Sequence, residues 1–143
     1  MVSRGFGVLA VSGRNGELEV TWLVHRNQPL PIRVQRSFGT VRADQRRIEL
    51  TVVEQLGQEA SPSPRDAKML IEGAIEDIPP GHDENSEVRV TFEMGFDGVL
   101  HVRAHHVEAD IPLTLTAKTG ATLSRSEVAR ELDQVHRSRR RDV

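Results

Sequence analysis

The densest cluster of chemically capable side chains is His101, His105, His106, Glu108 and Asp110, imidazoles and carboxylates of the kind that hold transition metals. Their spacing argues against a shared ion. On a strand rising about 3.3 Å per residue, His101 and His105 share a face but stand roughly 13 Å apart. His105 and His106 point to opposite faces. Ligands must each come within about 2 Å of one ion, so the segment supplies two of them only across a bulge and reads as a solvated strand end. Gly5-Phe6-Gly7 is a bare G-x-G, without the third glycine or the strand-to-helix setting of a dinucleotide fingerprint. No P-loop lysine motif and no G-x-S-x-G elbow occurs, and no spacing ties Ser, His and an acid into a nucleophile–base pair. The absence of cysteine removes thiolate nucleophiles, disulfides and Cys-based zinc sites together. The expectation is a protein with no catalytic residues, no metal and no cofactor of its own.

Elements with a period of two must position whatever site exists. Leu18, Val20, Trp22 and Val24 alternate with Glu17, Glu19, Thr21 and Leu23, and Ile48, Leu50 and Val52 with Arg47, Glu49 and Thr51. The cleanest case is Val88, Val90, Phe92 and Met94 against Glu87, Arg89, Thr91 and Glu93. Leu100, Val102 and Ala104 follow the same rule, as do Ile111, Leu113 and Leu115. One apolar and one polar face per strand predicts an antiparallel sandwich. Asn15-Gly16 and Asp97-Gly98 accept positive φ and can close hairpins, and Pro79-Pro80-Gly81 breaks the chain. Ser61-Pro62-Ser63-Pro64 reads as an exposed loop. About eight strands result, near 6–12, 17–25, 32–40, 47–54, 68–76, 87–94, 98–107 and 111–117.

The period changes only at the end. Ser124 and Glu127 form a capping box, Leu123 and Val128 a hydrophobic staple, and Val128, Leu132 and Val135 recur at helical spacing. A short amphipathic helix over 125–138 is predicted, with Arg137, Arg139, Arg140 and Arg141 at its C-terminal end, where cations suit the dipole. Its apolar stripe is a candidate for self-association. The chain has 143 residues, 37% hydrophobic and 28% charged, which suits one folded domain. A net charge of −2 gives no general attraction to nucleic acid. No apolar run approaches the ~20 residues that span a bilayer, and Met1-Val2-Ser3-Arg4 lacks a signal peptide's apolar core, so a cytoplasmic, membrane-free protein is the expectation.

With the strands placed, a resemblance emerges. Leu23-Val24-His25-Arg26-Asn27-Gln28-Pro29-Leu30-Pro31 is similar to the "hydrophobic, basic, Asn, x, x, apolar, Pro" segment of the seventy-kilodalton heat-shock chaperones, the DnaK family. Ser37-Phe38-Gly39-Thr40 is similar to that family's Phe-Ser-Thr, with Gly39 where the family usually has Ser. Ile78-Pro79-Pro80 resembles its Gly-Ile-Pro-Pro. Val88-Arg89-Val90-Thr91-Phe92-Glu93-Met94, followed by Asp97-Gly98-Val99-Leu100-His101-Val102, resembles its "V-T-F-x-x-D-x-D-G-I-L-x-V" hairpin. The likeness runs in one order over roughly residues 5–138.

The resemblance implies the substrate-binding part of such a chaperone: a peptide-binding β-sandwich over 1–123, then the start of a helical lid and a basic tail over 124–143. It implies a central pocket of Val8, Ala10, Phe38, Ile48, Leu50 and Val99, with Val11 and Val41 arching over the peptide. The implied partner is an unfolded or extended polypeptide rich in Leu or Ile; a dedicated adaptor domain that kept the sandwich is the alternative. ATP is expected only in an ATPase domain that would act in cis and is absent from this chain. The loop Ser12–Glu17 is longer than the family's usual two-glycine turn.

Overall fold

The computed structural model describes residues 1–11 and 16–120. Among them are eight strands: β1 Phe6–Val11, β2 Leu18–Val24, β3 Ile32–Gly39, β4 Ile48–Gln55, β5 Ala67–Ile75, β6 Glu87–Met94, β7 Val99–His106 and β8 Ile111–Lys118. A single 3₁₀ turn, Pro64–Asp66, precedes β5. The expected helix over 125–138, the 124–143 tail and Asn15 lie outside the described residues.

The strands form two four-stranded sheets, β2-β1-β4-β5 and β3-β6-β7-β8. Every pairing is antiparallel. The alternation explains the layering: each sheet turns one apolar face to the other. Phe6, Val8, Leu50, Val52 and Ile75 of the first sheet meet Val88, Val90, Phe92, Met94, Leu100, Val102 and Ala104 of the second in one buried core. The register sorts the connections. The ends of β1, β3, β5 and β7 and the starts of β4, β6 and β8 lie at one end of the sandwich, with the 40–47, 76–86 and 107–110 connections.

β2 departs from its expected single inward face. Phe6 pairs with Val24 but Gly7 pairs with Trp22, so Leu23 is an extra residue in a bulge. Leu23 and Val24 both enter the main core, while Val20 and Trp22 join Val53, Leu9 and Ala67 in a second cluster. Val53 and Leu9 alternate with the inward Val52 and Val8, so this cluster occupies the sheet's outer face. Leu18 is exposed.

The Ser61–Pro64 segment, expected as an exposed loop, keeps Pro62 and Pro64 exposed while covering that cluster. Val20 N–H donates to Pro62 O at 2.9 Å, giving edge strand β2 a partner, and Trp22 Nε1 donates to Ser61 O at 2.9 Å. Ser63 caps the 3₁₀ turn through its hydroxyl. Trp22→Phe keeps the ring packing and removes one hydrogen bond, leaving Ser61 O to seek water. A loss of about 1 kcal/mol is expected in urea unfolding, with no change in denaturant slope.

Candidate functional site

A concavity of about 300 Å³ opens at the end of the sandwich where β1 finishes and β4 and β6 begin. Its volume is at the small end of the roughly 300–1,000 Å³ common for ligand pockets, room for one or two aliphatic side chains. Val8, Leu50, Val88 and Val90 form the floor, each less than a tenth exposed. Ala10, Phe38 and Ile48 form half-buried walls. The mouth is rimmed by Val11 and Leu18, the last pair of the β1–β2 ladder, and by Val41 from the β3–β4 connection. These three are 44%, 55% and 54% exposed, an apolar rim continuous with an apolar floor. Thr40, Gln45, Glu49 and Thr51 add polar atoms at the edge.

The structure therefore gathers Val8, Ala10, Val11, Phe38, Val41, Ile48 and Leu50 around one cavity. It does not bring Val99 there. β7 runs antiparallel to β6, so Val99 sits where β6 ends, beside Met94 and Leu100, whereas Val88 at the cavity pairs with His106. Five to seven residues of strand separate Val99 from the floor's level, roughly 17–23 Å. Its N–H is held by the Asp97 carboxylate at 3.1 Å, in the β6–β7 turn. Leu9, Leu18, Val88 and Val90 line the concavity without having been singled out from sequence. The alternation marked Val88 and Val90 as inward strand residues, but only the pairing of β3 with β6, Phe38 opposite Val88, brings them to this mouth, as the Val11–Leu18 pair of the β1–β2 ladder brings Leu18.

The loop carrying Val41 is fixed from outside by residues 79–86, which lie along it like a strap. Thr40 N–H donates to Ser86 O at 3.0 Å, and Asn85 N–H donates back to Thr40 O at 2.8 Å. The buried Thr40 hydroxyl accepts from Ser86 N–H at 2.9 Å and donates to Asp83 O at 3.3 Å. Farther along, Asp44 N–H donates to His82 O at 2.8 Å, and Asp44 Oδ1 accepts Gly81 N–H at 2.6 Å. Within the loop, Gln45 Oε1 takes the Val41 N–H at 2.8 Å. Gly39 is explained by the strap: a Cβ there would lie 1.8 Å from Asn85 Oδ1 and 3.1 Å from Asn85 Cα. Serine at this position would meet the Asn85 side chain first and force it to turn aside.

The histidine-rich segment has other duties. His105 Nε2 is 2.7 Å from Asp110 Oδ1, and His106, on the opposite face, is buried in the core side of β7. Burial pushes the His106 imidazole below its ordinary value, and the neighbouring His82 ring adds to that. Among the described residues, no group of three or more His, Cys, Asp and Glu side chains could hold a metal ion. On the outer face of β3 and β6, the Ser37 hydroxyl and the Arg89 guanidinium hold the Glu87 carboxyl below its usual range, away from the concavity. No helix among the described residues is long and apolar enough to cross a membrane.

A two-sheet antiparallel sandwich with a braced apolar mouth at one end defines a class: an all-β domain with an apolar concavity between its sheets. The family model for Hsp70 protein matches residues 9–143, and the chain belongs to the Hsp70 family. It is 28% identical over 134 residues to the chaperone protein DnaK of Thermus thermophilus, covering 94% of this chain and 21% of that protein. It is 27% identical over 118 residues to the chaperone protein DnaK of Thalassiosira pseudonana, covering 82% of this chain and 19% of that one. The chain thus spans about a fifth of the length of these curated relatives.

Proposed function

We propose that this chain is the peptide-holding module of a DnaK-like chaperone, and that its mouth clasps extended, apolar-rich segments of unfolded polypeptides. The single observation that carries the reading is the exposed apolar rim of Val11, Leu18 and Val41 above the buried floor of Val8, Leu50, Val88 and Val90. Such a site suits a Leu or Ile side chain, whose burial contributes roughly 1.5–3 kcal/mol. An extended peptide offers its backbone to loop groups and alternate side chains to the pocket, which gives tolerance from the former and preference from the latter. Affinity is weak and selectivity broad, as a chaperone's work on many sequences requires. ATP turnover belongs, in this reading, to a separate domain acting in cis: the chain carries no phosphate-cradling loop motif. A cytoplasmic setting goes with the same reading.

The test is a peptide array followed by fluorescence anisotropy with a labelled peptide containing one central leucine. Binding of many Leu- or Ile-containing segments, with loss when the central residue becomes aspartate, is the expected result. Binding of one sequence only would point to a dedicated adaptor. Binding of none would overturn the proposal.

A further inference from the structure

His106 is only 1% exposed, and its two ring nitrogens are unequally served. Nδ1 accepts the Ala109 N–H at 3.1 Å, so the neutral ring carries its proton on Nε2, which is buried without a hydrogen-bond partner. The His82 ring of the strap lies against it, centroids 5.0 Å apart and tilted by 60°. His82 Nδ1 is in turn 3.0 Å from Glu108 Oε1. We infer that His106 makes the strap, and through it the groove rim, responsive to pH: the neutral ring keeps residues 79–86 closed on the Val41 loop, and the protonated ring releases them. The consequence for peptide rests on the proposed function; the movement of the strap does not.

The geometry leaves a protonated His106 no quiet accommodation. A proton on Nδ1 would set N–H against the Ala109 N–H. The groups facing the ring offer one carboxylate. From β6 the paired residue is Val88, and from β8 it is Ile111, neither of which titrates. From the strap comes His82; Asp83 and Glu84 are exposed. On its own strand His105 turns to the other face and pairs with Asp110. Glu108 remains, and it is bonded to His82. Either Glu108 swings to the new charge and abandons His82, or the ring leaves its site past His82. Both routes free the His82 side chain from the strap's only described side-chain tie to the 107–110 turn. His82 O is also the acceptor for Asp44 N–H, so its displacement loosens the clamp beyond Val41, next to the one at Thr40.

The sign follows from linkage. Burial lowers the proton affinity of His106 in the closed state, so the opened state binds more protons and acid favours it. The closed strap is fully stabilised above the ordinary histidine value of about 6.5 and loses that stabilisation as the pH falls below it.

Amide exchange of Asp44, Asn85 and Ser86, without peptide and corrected for the intrinsic pH dependence, reads the strap directly. A labelled leucine peptide chased by excess unlabelled peptide reads the groove. Between about pH 7.5 and about pH 5.5, a window straddling the ordinary histidine value, wild type should lose protection at these amides and release peptide several-fold faster. His106→Asn places an amide oxygen near Nδ1 to accept the Ala109 N–H and cannot titrate, so both readouts should be flat. His82→Gln removes the second imidazole and should move the wild-type transition to higher pH, which keeps the test decisive if His106→Asn fails to fold. Constant protection in wild type, a His106→Asn profile that tracks wild type, or an unmoved transition in His82→Gln would each overturn the inference. Protection that falls as expected in a chain that binds no peptide at either pH would support the strap and remove the peptide-binding reading instead.

Discussion

Ala10→Phe is expected to weaken binding of a leucine-containing peptide by roughly tenfold to a hundredfold while the chain keeps its fold. Ala10 is the smallest wall of the concavity and is only half buried, so a phenyl ring there grows into the open space of about 300 Å³ rather than into packed core. The peptide's central side chain then has nowhere to go, and the roughly 1.5–3 kcal/mol of its burial is lost. The same substitution at Val8 would be a poor test, because Val8 is 1% exposed and overpacking it costs about 1–3 kcal/mol of stability. Val99→Phe serves as the control. Its site is at the far end of β7, so anisotropy titration should give wild-type affinity. If Ala10→Phe binds normally and remains folded by circular dichroism, the concavity is not the peptide site.

The strands were legible because each has one wet and one dry face. β6, with four inward apolar residues in strict alternation, matches its expected bounds of 87–94 to the residue. β2 was legible in extent but not in facing, because nothing in the order of residues 18–24 marks Leu23 as the bulged one. The groove was legible only through family resemblance, and its one displaced member shows why. Val99 sits after a turn and at a strand start, like a rim residue, but which end of the sandwich that start occupies depends on β6 and β7 being antiparallel neighbours. The strap was beyond the reach of local pattern. Its bonds join residues such as Thr40 and Ser86, 46 positions apart, and the residue that makes room for it, Gly39, stood out in the sequence only as a departure from the family's serine. His106 illustrates the same limit: alternation put it on the opposite face from His105, but its burial depends on His82 arriving from another connection.

Gly7→Ala should be among the most damaging single-methyl changes available in this chain, costing about 3 kcal/mol and lowering the melting temperature by roughly 10 °C. As a motif, Gly5-Phe6-Gly7 is too short to bind a dinucleotide, and its glycines serve packing instead. β1 is hydrogen-bonded on both sides, with Gly7 opposite Trp22 and Val53. The bulge at Leu23 bows β2 towards it: a Cβ on Gly7 would lie 2.3 Å from Thr21 O and 3.0 Å from both Thr21 C and Trp22 Cα. These are backbone atoms of the neighbouring strand, so no side-chain rotation relieves the clash. Either the β1–β2 ladder parts or the bulge moves, and both break the seating of Trp22 over the outer cluster. Gly5 is tight in a softer way: its Cβ position is 3.0 Å from Val24 O, but the nearest atom, at 2.7 Å, is Gln55 Oε1, a side-chain atom that can retreat after giving up the Gly5 N–H it accepts. Gly57→Ala is the contrast, with no atom within 4 Å, and should change stability by no more than about 0.5 kcal/mol. Thermal unfolding followed by the fluorescence of the single tryptophan, Trp22, measures both substitutions. A Gly7→Ala protein that melts within about 2 °C of wild type would mean that β2 can straighten its bulge at little cost, and that the two bulged-strand faces are not what holds the first sheet's edge in register.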